Sequence, residues 1–405
     1  MQYFYQRSTT YLNCSQMRAD RRQFLSGLGV AVTAGVTGCS GESDENDGGA
    51  SSGDGDSGGD GNSGGGDDMT PTATAAGGGQ DTVKAAFVYD GRIGDQGWIF
   101  SHERSRQIIE EENDWLETTF QEEVTPEESE RVMTSFVNQG YDLIFTTSVS
   151  FAEPTLNAAE KHPDTYFENA NSFNTRQNLS RYGAAPYTGR YCIGVAAGMM
   201  TETDTLGYIA GFPIPLSFRD MNAYLLGAQS VNSDATLKVQ YMNEWYDPQG
   251  ARTAVTSLVD DGADAIACNL DSTATVQAAN EAGVWGSGSH SSMREAGGDG
   301  YLATPIETWE AYYGSRAEAV KEGTWSESSV WQGLSEGLVS LDEFGPEVSE
   351  EAKEKALEAR DQIKAGELDV WEGTKFEGWS TEVGGEVETE MTSYVEGVEG
   401  TPPES

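Results

Sequence analysis

Short apolar runs alternate with amphipathic stretches along the chain from residue 83 onward. Continuous apolar runs are typical of strands that are buried on both faces of a sheet. They predict strands at residues 83–89, 143–147, 165–169, 205–210, 237–241 and 263–269. Apolar residues three and four positions apart predict helices between them, at residues 99–112, 127–139, 153–161, 190–200, 218–230, 250–260 and 273–281. This alternation predicts an α/β fold with parallel sheets that carry helices on both faces.

The alternating pattern is long enough for two lobes, because the chain has 405 residues and a domain commonly has about 100–200. We expect lobe 1 to comprise residues 82–190 and 285–325, and lobe 2 to comprise residues 191–284 and 326–373. Residues 374–405 are acidic and rich in glycine, which predicts a loosely packed acidic tail.

Residues 1–39 are predicted to be a signal region for export. Arg21 and Arg22 precede a mildly apolar run, as in a twin-arginine signal, and the run is too short to span a bilayer as a helix. The run ends in a Thr-Gly-Cys sequence at Cys39, which is typical of a lipid attachment site. An ordinary signal peptide in which Cys39 is incidental is the alternative. Met17 is the expected start of translation, because the residues before it lack signal character.

The segment after Cys39, residues 40–81, consists mainly of Gly, Ser and Asp. Such a composition cannot bury enough apolar surface to offset the loss of chain entropy, so it predicts a disordered tether. A signal, a lipidated cysteine, a tether and a globular part are the order of a receptor anchored to the outside of the cell membrane. We therefore expect this localisation.

The chain is strongly acidic, with 67 Asp and Glu against 24 Lys and Arg and a formal net charge of -43. Nucleic-acid binding requires a basic surface, so we expect no nucleic-acid partner. Because the charge is spread over the whole chain, it favours a surface adapted to high salt and a halophilic host. An acidic surface that binds a partner is the alternative.

The sequence contains no motif of an established enzyme or metal site. The four cysteines and three histidines lack the spacing of metal ligands, and no nucleophile elbow, Walker A or HExxH motif occurs. We expect no enzymatic activity, no cofactor and no metal. Carboxylate pairs like those of glycoside hydrolases arise by chance among 67 acidic residues, so a hydrolase stays an alternative.

Ligands of open α/β sheets bind beyond the carboxyl ends of the strands, and aromatic residues follow several of the predicted strands. Trp98, Phe212 and Trp309 lie there and suggest that a planar ring binds between aromatic faces. Polar candidates at comparable positions are Asp95, Ser148, Arg219, Asn222 and Asp271. Each has a structural alternative: Trp98 as a core residue, Asp95 and Asp271 as helix N-caps, Arg219 as an ion-pair partner and Asn222 as a solvent-facing residue.

Over roughly residues 83–373 the chain resembles the basic membrane protein family of lipoprotein receptors for ABC importers. The loop Gly94-Asp95-Gln96-Gly97-Trp98, followed by Phe100 and His102, is similar to a loop in one branch of that family. The similarity adds His102 to the candidate ligand-binding residues. Further matches are Phe212-Pro213-Ile214-Pro215 with Arg219 and Asn222, Trp245-Tyr246-Asp247-Pro248, Asp271-Ser272, Thr304-Pro305 with Trp309, and Phe344-Gly345-Pro346.

The resemblance implies a two-lobed type I periplasmic-binding-protein fold, each lobe a parallel sheet flanked by helices, that binds a purine nucleobase or nucleoside between the lobes. It implies a ring stacked between Trp98 and Phe212, with Asp95 and Asp271 as polar contacts. The family usually has Asp within the segment that matches residues 289–292, where nucleoside receptors contact ribose. His290 and Ser292 stand there in this chain, which favours a free base or another flat heterocycle.

The partners implied by the resemblance are a purine-like ligand, an ABC permease with its ATPase, and the membrane through the lipid anchor. We expect a monomer. A ligand sensor for a membrane signalling protein and a hydrolase that acts on nucleosides are the alternatives. Permease and ATPase genes beside this one would favour import, whereas release of free base from a nucleoside would favour the hydrolase.

Overall fold

The computed structural model describes residues 81–94 and 96–403, so that Cys39, the rest of the signal region, the tether and Asp95 lie outside the described residues. In chain order the strands are β1 (Val83–Val88), β2 (Leu116–Gln121), β3 (Leu143–Thr146), β4 (Tyr166–Ala170), β5 (Leu179–Tyr182), β6 (Thr205–Ala210), β7 (Thr236–Tyr241), β8 (Ala265–Cys268), β9 (Trp285–Ser287), β10 (Pro305–Glu307), β11 (Val339–Leu341) and β12 (Val398–Glu399).

The helices alternate with these strands. In chain order they are α1 (Trp98–Glu112), α2 (Pro126–Asn138), α3 (Ala152–Lys161), α4 (Tyr187–Met200), α5 (Pro215–Gln229), α6 (Pro248–Asp260), α7 (Ala274–Ala282), α8 (Arg294–Gly297), α9 (Trp309–Glu322), α10 (Glu350–Ala365) and α11 (Glu386–Thr389). The predicted strands and helices all occur, with bounds that differ by at most three residues.

The strands form two parallel sheets of five strands and one short antiparallel pair. The first sheet has the order β2-β1-β3-β4-β5, and the second has the order β12-β7-β6-β8-β9. The antiparallel pair joins β10 to β11. Two parallel sheets flanked by helices confirm the predicted α/β class and the two-lobed type I periplasmic-binding-protein architecture.

The central strands are buried because helices cover both faces of each sheet. In β1 every residue except Lys84 is buried, and in β8 all four residues are buried. The second sheet is covered by α4 and α5, which pack closely through glycines. A Cβ atom at Gly194 or Gly227 would overlap the backbone carbonyl of Tyr224 or Tyr191, respectively. This contact fixes α5, which carries two of the candidate site residues, Arg219 and Asn222.

The chain crosses between the lobes later than we predicted from the sequence. We expected lobe 1 to resume at residue 285, but β9 pairs with β8 in the second sheet, so the chain leaves lobe 2 only after Ser287. It then reaches α9, which packs against α1 and β1 of lobe 1. The difference arises because β9 is only three residues long and contains Gly286, so it has no recognisable strand pattern.

The predicted acidic tail is packed rather than loose over its described part. Val387, Met391 and Val395 are buried, and β12 pairs in parallel with β7. We call residues 374–403 the C-terminal segment. Its apolar anchors are too sparse to produce a periodic pattern among the acidic and glycine residues around them. Among residues 81–94 and 96–403, no helix is long and apolar enough to cross a membrane.

Candidate functional site

Loops from the two lobes meet at the carboxyl ends of their sheets. Asp271, just after β8 in lobe 2, accepts a hydrogen bond through Oδ1 from the backbone N–H of Trp98 in lobe 1, at 2.8 Å. Next to it, the N–H of Gly97 donates to the Ser291 hydroxyl at 3.0 Å. Gly97 has a φ of 102°, and a Cβ atom there would lie 2.8 Å from the Cα of Asp271. The close approach of the lobes therefore requires glycine at this position.

Trp98 lies at the start of α1, half-buried between the lobes. Its indole N–H donates to the backbone carbonyl of Thr147 at 2.8 Å, which fixes the ring relative to β3. Three rings approach it nearly at right angles: His102 at 4.4 Å, His290 at 5.4 Å and Trp309 at 5.4 Å between centroids. Trp98 is thus held rigidly by its neighbours while part of its surface stays accessible.

His102 and Trp309 lie behind Trp98 rather than beside it. Both are fully buried, and their rings stack with centroids 4.6 Å apart. The Nδ1 atom of His102 is 2.5 Å from the Tyr313 hydroxyl, and the Trp309 indole N–H donates to Ser101 at 3.1 Å. Burial, with a smaller contribution from His290, lowers the pKa of His102, so its imidazole is neutral. These two residues support Trp98 from the core of lobe 1.

Two carboxyl groups, one from each lobe, lie near each other. Asp90 follows β1, and burial raises the pKa of its carboxyl to about 6. A hydrogen bond to Ser148 lowers this pKa, whereas the charge of Asp271 raises it further. Burial also raises the pKa of Asp271, whereas His290 and the bond from Trp98 lower it. Ser148 additionally accepts from the Ser150 N–H as a cap. This pair of carboxyl groups offers acceptors for N–H or O–H groups of a ligand.

Phe212 follows β6 in lobe 2 and contacts Trp245. The two rings are 5.1 Å apart at an interplanar angle of 63°, and both are half-buried. Trp245 in turn accepts through its backbone carbonyl from the N–H of Asp271 at 2.9 Å. No ring contact between Phe212 and Trp98 occurs among the described residues. They are linked through Trp245 and Asp271.

Arg219 and Asn222 bond the C-terminal segment, and a ligand contact of either residue stays a prediction. Arg219 is buried on α5, where it donates to the backbone carbonyl of Glu388 at 2.5 Å and lies 5.3 Å from the Trp331 ring. Asn222 bonds the backbone of Ser393 and Val395, both at 3.0 Å. Their side chains hold the C-terminal segment, because α5 presents them toward that segment.

Sequence reasoning missed Asp90 and Glu307 and did not select Trp245 or His290 as binding residues. Asp90 directly follows the first strand, so the rule for strand ends could have identified it. Glu307 is buried in β10 and lies 3.0 Å from Nδ1 of His290. Nothing in the sequence indicates that these two residues form a pair, because they meet only where the chain returns from lobe 2 to lobe 1.

The arrangement provides aromatic surface and several partly buried acceptors between two lobes. No group of His, Cys, Asp and Glu side chains suited to a metal ion occurs in the part of the chain that the structure describes. Cys192 and Cys268 are buried and unbonded to each other, and burial raises the pKa of both thiols. Aromatic rings with convergent polar groups are typical of a site for a small flat or cyclic molecule.

Comparisons with known proteins agree with this interpretation. A family model described as ABC transporter substrate-binding protein PnrA-like matches residues 82–373. A Haloferax volcanii protein that carries the name of an ABC transporter glucose-binding protein is 46% identical over 333 residues, which are 82% of this chain and 84% of that protein. A protein from Brucella abortus, named as purine-binding, is 38% identical over 296 residues, which are 73% and 84% of the two chains.

Solved structures support the same fold. The solute-binding protein of an ABC transporter system from Conexibacter woesei has a TM-score of 0.62 at 20% identity. The match covers 71% of this chain and 98% of that protein. A solute-binding protein from Aeropyrum pernix also has a TM-score of 0.62, at 18% identity, and covers 71% and 92%. At these identities the likeness bears on the fold alone.

Proposed function

Because this chain belongs to the PnrA-like family of ABC transporter substrate-binding proteins, we propose that its ligand is a purine nucleobase or nucleoside. The observation that carries the proposal is the half-buried indole of Trp98. The backbone N–H of the same residue donates a hydrogen bond to Asp271 of the other lobe. A flat ring against this indole would contact both lobes, and only in their closed arrangement. Binding would therefore favour closure, which is the state that a permease can distinguish from the open one.

A sugar is the second candidate ligand. The relative from Haloferax volcanii is named as glucose-binding, and it is more similar to this chain than the purine-binding relative from Brucella abortus. Asp90 and Asp271 could accept hydrogen bonds from sugar hydroxyls, and an indole can cover the apolar face of a pyranose. The aromatic groups on both lobes favour the purine, because a planar ring gains most from such surfaces.

Calorimetry distinguishes the two ligands. Purified protein in molar KCl is titrated with adenine, hypoxanthine, guanosine, inosine and glucose, and mass spectrometry identifies any molecule that co-purifies. We expect at least one purine to bind with a Kd in the micromolar range or below, and glucose to give no heat of binding. Binding of glucose without any purine would overturn the proposal. Release of free base from a nucleoside would favour the hydrolase alternative.

We further propose that the protein is exported by a twin-arginine signal and anchored by a lipid on Cys39. Cys39→Ser removes the thiol that would carry the lipid, so we expect the variant to move from the membrane fraction to the medium. Cell fractionation and immunoblotting measure this, and Ser40→Ala, which changes the neighbouring residue, should stay in the membrane fraction. Retention of Cys39→Ser in the membrane fraction would contradict the lipid anchor.

The proposed halophilic character predicts stabilisation by salt. With a net charge of -43, like-charge repulsion destabilises the folded state until salt screens it. The Debye length falls from about 10 Å at 0.1 M to about 3 Å at 1 M salt. We expect the Tm to rise by several degrees over this range of KCl in thermal melts followed by circular dichroism. A Tm that does not change with KCl would contradict the proposal.

A further inference from the structure

His290 has a backbone conformation that residues with side chains rarely adopt. Its φ is 68°, in the left-handed region that favours glycine. The chain holds it there, since the N–H of Glu307 donates to the His290 carbonyl at 3.2 Å and the residue forms a β-bridge with Ile306. Conformations of this kind persist where the surrounding structure fixes them, and they cluster at ligand-binding sites. The strain places one imidazole between the lobes.

The ring of His290 is anchored on one side and lies beside Trp98 on another. Its Nδ1 is 3.0 Å from Oε1 of Glu307, which is itself 1% exposed. The ring centroid is 5.4 Å from that of Trp98, at an interplanar angle of 79°. Within the described residues, the hydrogen bond of this ring is made through Nδ1, and none is found at the second ring nitrogen, Nε2. The geometry thus fixes the ring through Nδ1 and leaves Nε2 for another partner.

Acidic groups surround this imidazole. Burial opposes its charge, but the attraction and the hydrogen bond of Glu307, together with Asp271 and Asp220, raise the pKa of His290. His102 also interacts with His290 electrostatically, and it is neutral because burial and the charge of His290 lower its pKa. The protonated form of His290 is therefore favoured up to a higher pH than for an ordinary histidine.

The bond to Glu307 determines what Nε2 can do in each protonation state. An ionised carboxylate only accepts hydrogen bonds, so Nδ1 must carry a proton to bond it. In the neutral ring this is the only proton, and Nε2 is then an acceptor. In the protonated ring both nitrogens are donors. Nε2 can consequently donate to a ligand only while His290 is charged.

We propose that His290, positioned by Glu307, is the specificity-determining donor of the site and bonds an acceptor atom of the ligand through Nε2. The acceptor is a ring nitrogen or a carbonyl oxygen of a flat heterocycle whose face lies against Trp98. The inference rests on the proposed function, since it assumes a ligand between the lobes. It implies that affinity decreases as the pH rises through the titration of His290.

The test compares the pH dependence of binding in the full chain with that of two variants. Calorimetry with adenine, hypoxanthine and guanosine is carried out between about pH 6.5 and about pH 9, above the range in which Asp90 and Asp220, with pKa values of about 6, titrate most. We expect the affinity of the wild type to fall about tenfold or more across this range. His290→Asn tolerates the left-handed backbone and cannot titrate. It should bind about tenfold more weakly at the low end and show little dependence on pH.

Glu307→Gln removes the charge that stabilises the imidazolium, so the decrease in affinity should move to a lower pH. This variant also tests the proposal if His290→Asn does not fold, which thermal melts reveal. His162→Gln is the matched control. His162 follows the C-terminal end of α3, where it contacts Thr134 of α2. The pH profile of this variant should equal that of the wild type.

The outcomes separate the inference from the function on which it rests. A purine that binds the wild type but retains the same pH profile in His290→Asn and Glu307→Gln would overturn the role of His290 alone. If none of the three purines binds the wild type at any pH, the proposed function fails, and the inference fails with it.

Discussion

Trp98→Ala is expected to weaken purine binding about 30-fold, because removing a large aromatic anchor costs about 2 kcal/mol or more and each 1.4 kcal/mol is tenfold in Kd. The variant should also be less stable without ligand. The indole bonds Thr147 and packs against the buried rings of His102 and Trp309. Replacing a fully buried Trp by Ala costs about 3–5 kcal/mol, and Trp98 is half-buried, so we expect a loss of about 2 kcal/mol.

Two further variants separate binding from stability. Trp98→Phe keeps an aromatic face and loses the hydrogen bond to Thr147, which contributes about 1 kcal/mol, so its affinity should stay within about fivefold of the wild type. Trp115→Ala is the matched control, since this half-buried indole lies 4.3 Å from the Lys321 ammonium and remote from the lobe interface. It should lose stability and keep full affinity.

The measurements are calorimetry at a temperature where every variant is folded, together with thermal melts in the absence of ligand. If Trp98→Ala binds purines as tightly as the wild type, Trp98 is only a structural residue and the ligand lies elsewhere. Equal loss of affinity in Trp98→Ala and Trp115→Ala would indicate a general effect of instability rather than a contact with the ligand.

In most of the strands that were predicted from the sequence, nearly every residue is buried. Strands β1, β6 and β8 lie at or next to the centre of their sheets, and nearly all of their residues are buried. Strand β2 was missed because it is an edge strand in which only Leu116 is buried. Strand β5 was missed for a different reason, since its buried residues include Ser180 and Arg181. Their partners, Arg316 and Glu388, lie far away in the sequence.

The same limit applies to the candidate site. The rule for strand ends selected Trp98 and Asp271, which the structure brings together. It could not tell which atoms meet, because the donor to Asp271 is a backbone N–H, which every residue except proline has. Whether Arg219 and Asn222 contact a ligand or another part of the chain depends on the direction in which their face of α5 points. That face contacts a segment about 170 residues further along the chain, and no local pattern reports such a contact.

Removal of the C-terminal segment is expected to have the largest effect on stability. Truncation after Gly373 would uncover the second lobe where Val387, Met391 and Val395 are now buried. Loss of one buried side chain of this size costs about 2–5 kcal/mol, whereas a whole domain is stable by only about 5–15 kcal/mol. We expect the free energy of unfolding to fall by more than about 4 kcal/mol and the truncated chain to aggregate or melt at a much lower temperature.

The segment also connects the two lobes through one ion pair. Arg181, on β5 of lobe 1, donates through Nη2 to both carboxylate oxygens of Glu388, at 2.8 and 2.7 Å, and the two side chains are only 8% and 11% exposed. The backbone of Glu388 is held by Arg219 of lobe 2. The carboxylate therefore links lobe 1 to a segment that is packed on lobe 2. Breaking a buried ion pair by removing one charge commonly costs about 3–5 kcal/mol, because the other charge stays buried without a partner.

Glu388→Gln is accordingly expected to lower the free energy of unfolding by about 3 kcal/mol, measured by denaturant unfolding in molar KCl. Glu396→Gln is the matched control, since that side chain is exposed in the same segment, and its stability should stay within about 0.5 kcal/mol of the wild type. Truncation after Gly400 should likewise be neutral, because the anchors of the segment remain. If the chain truncated after Gly373 melts at the temperature of the wild type, the segment is the loose tail that its composition predicts. Arg181 and Arg219 would then need other partners to remain buried.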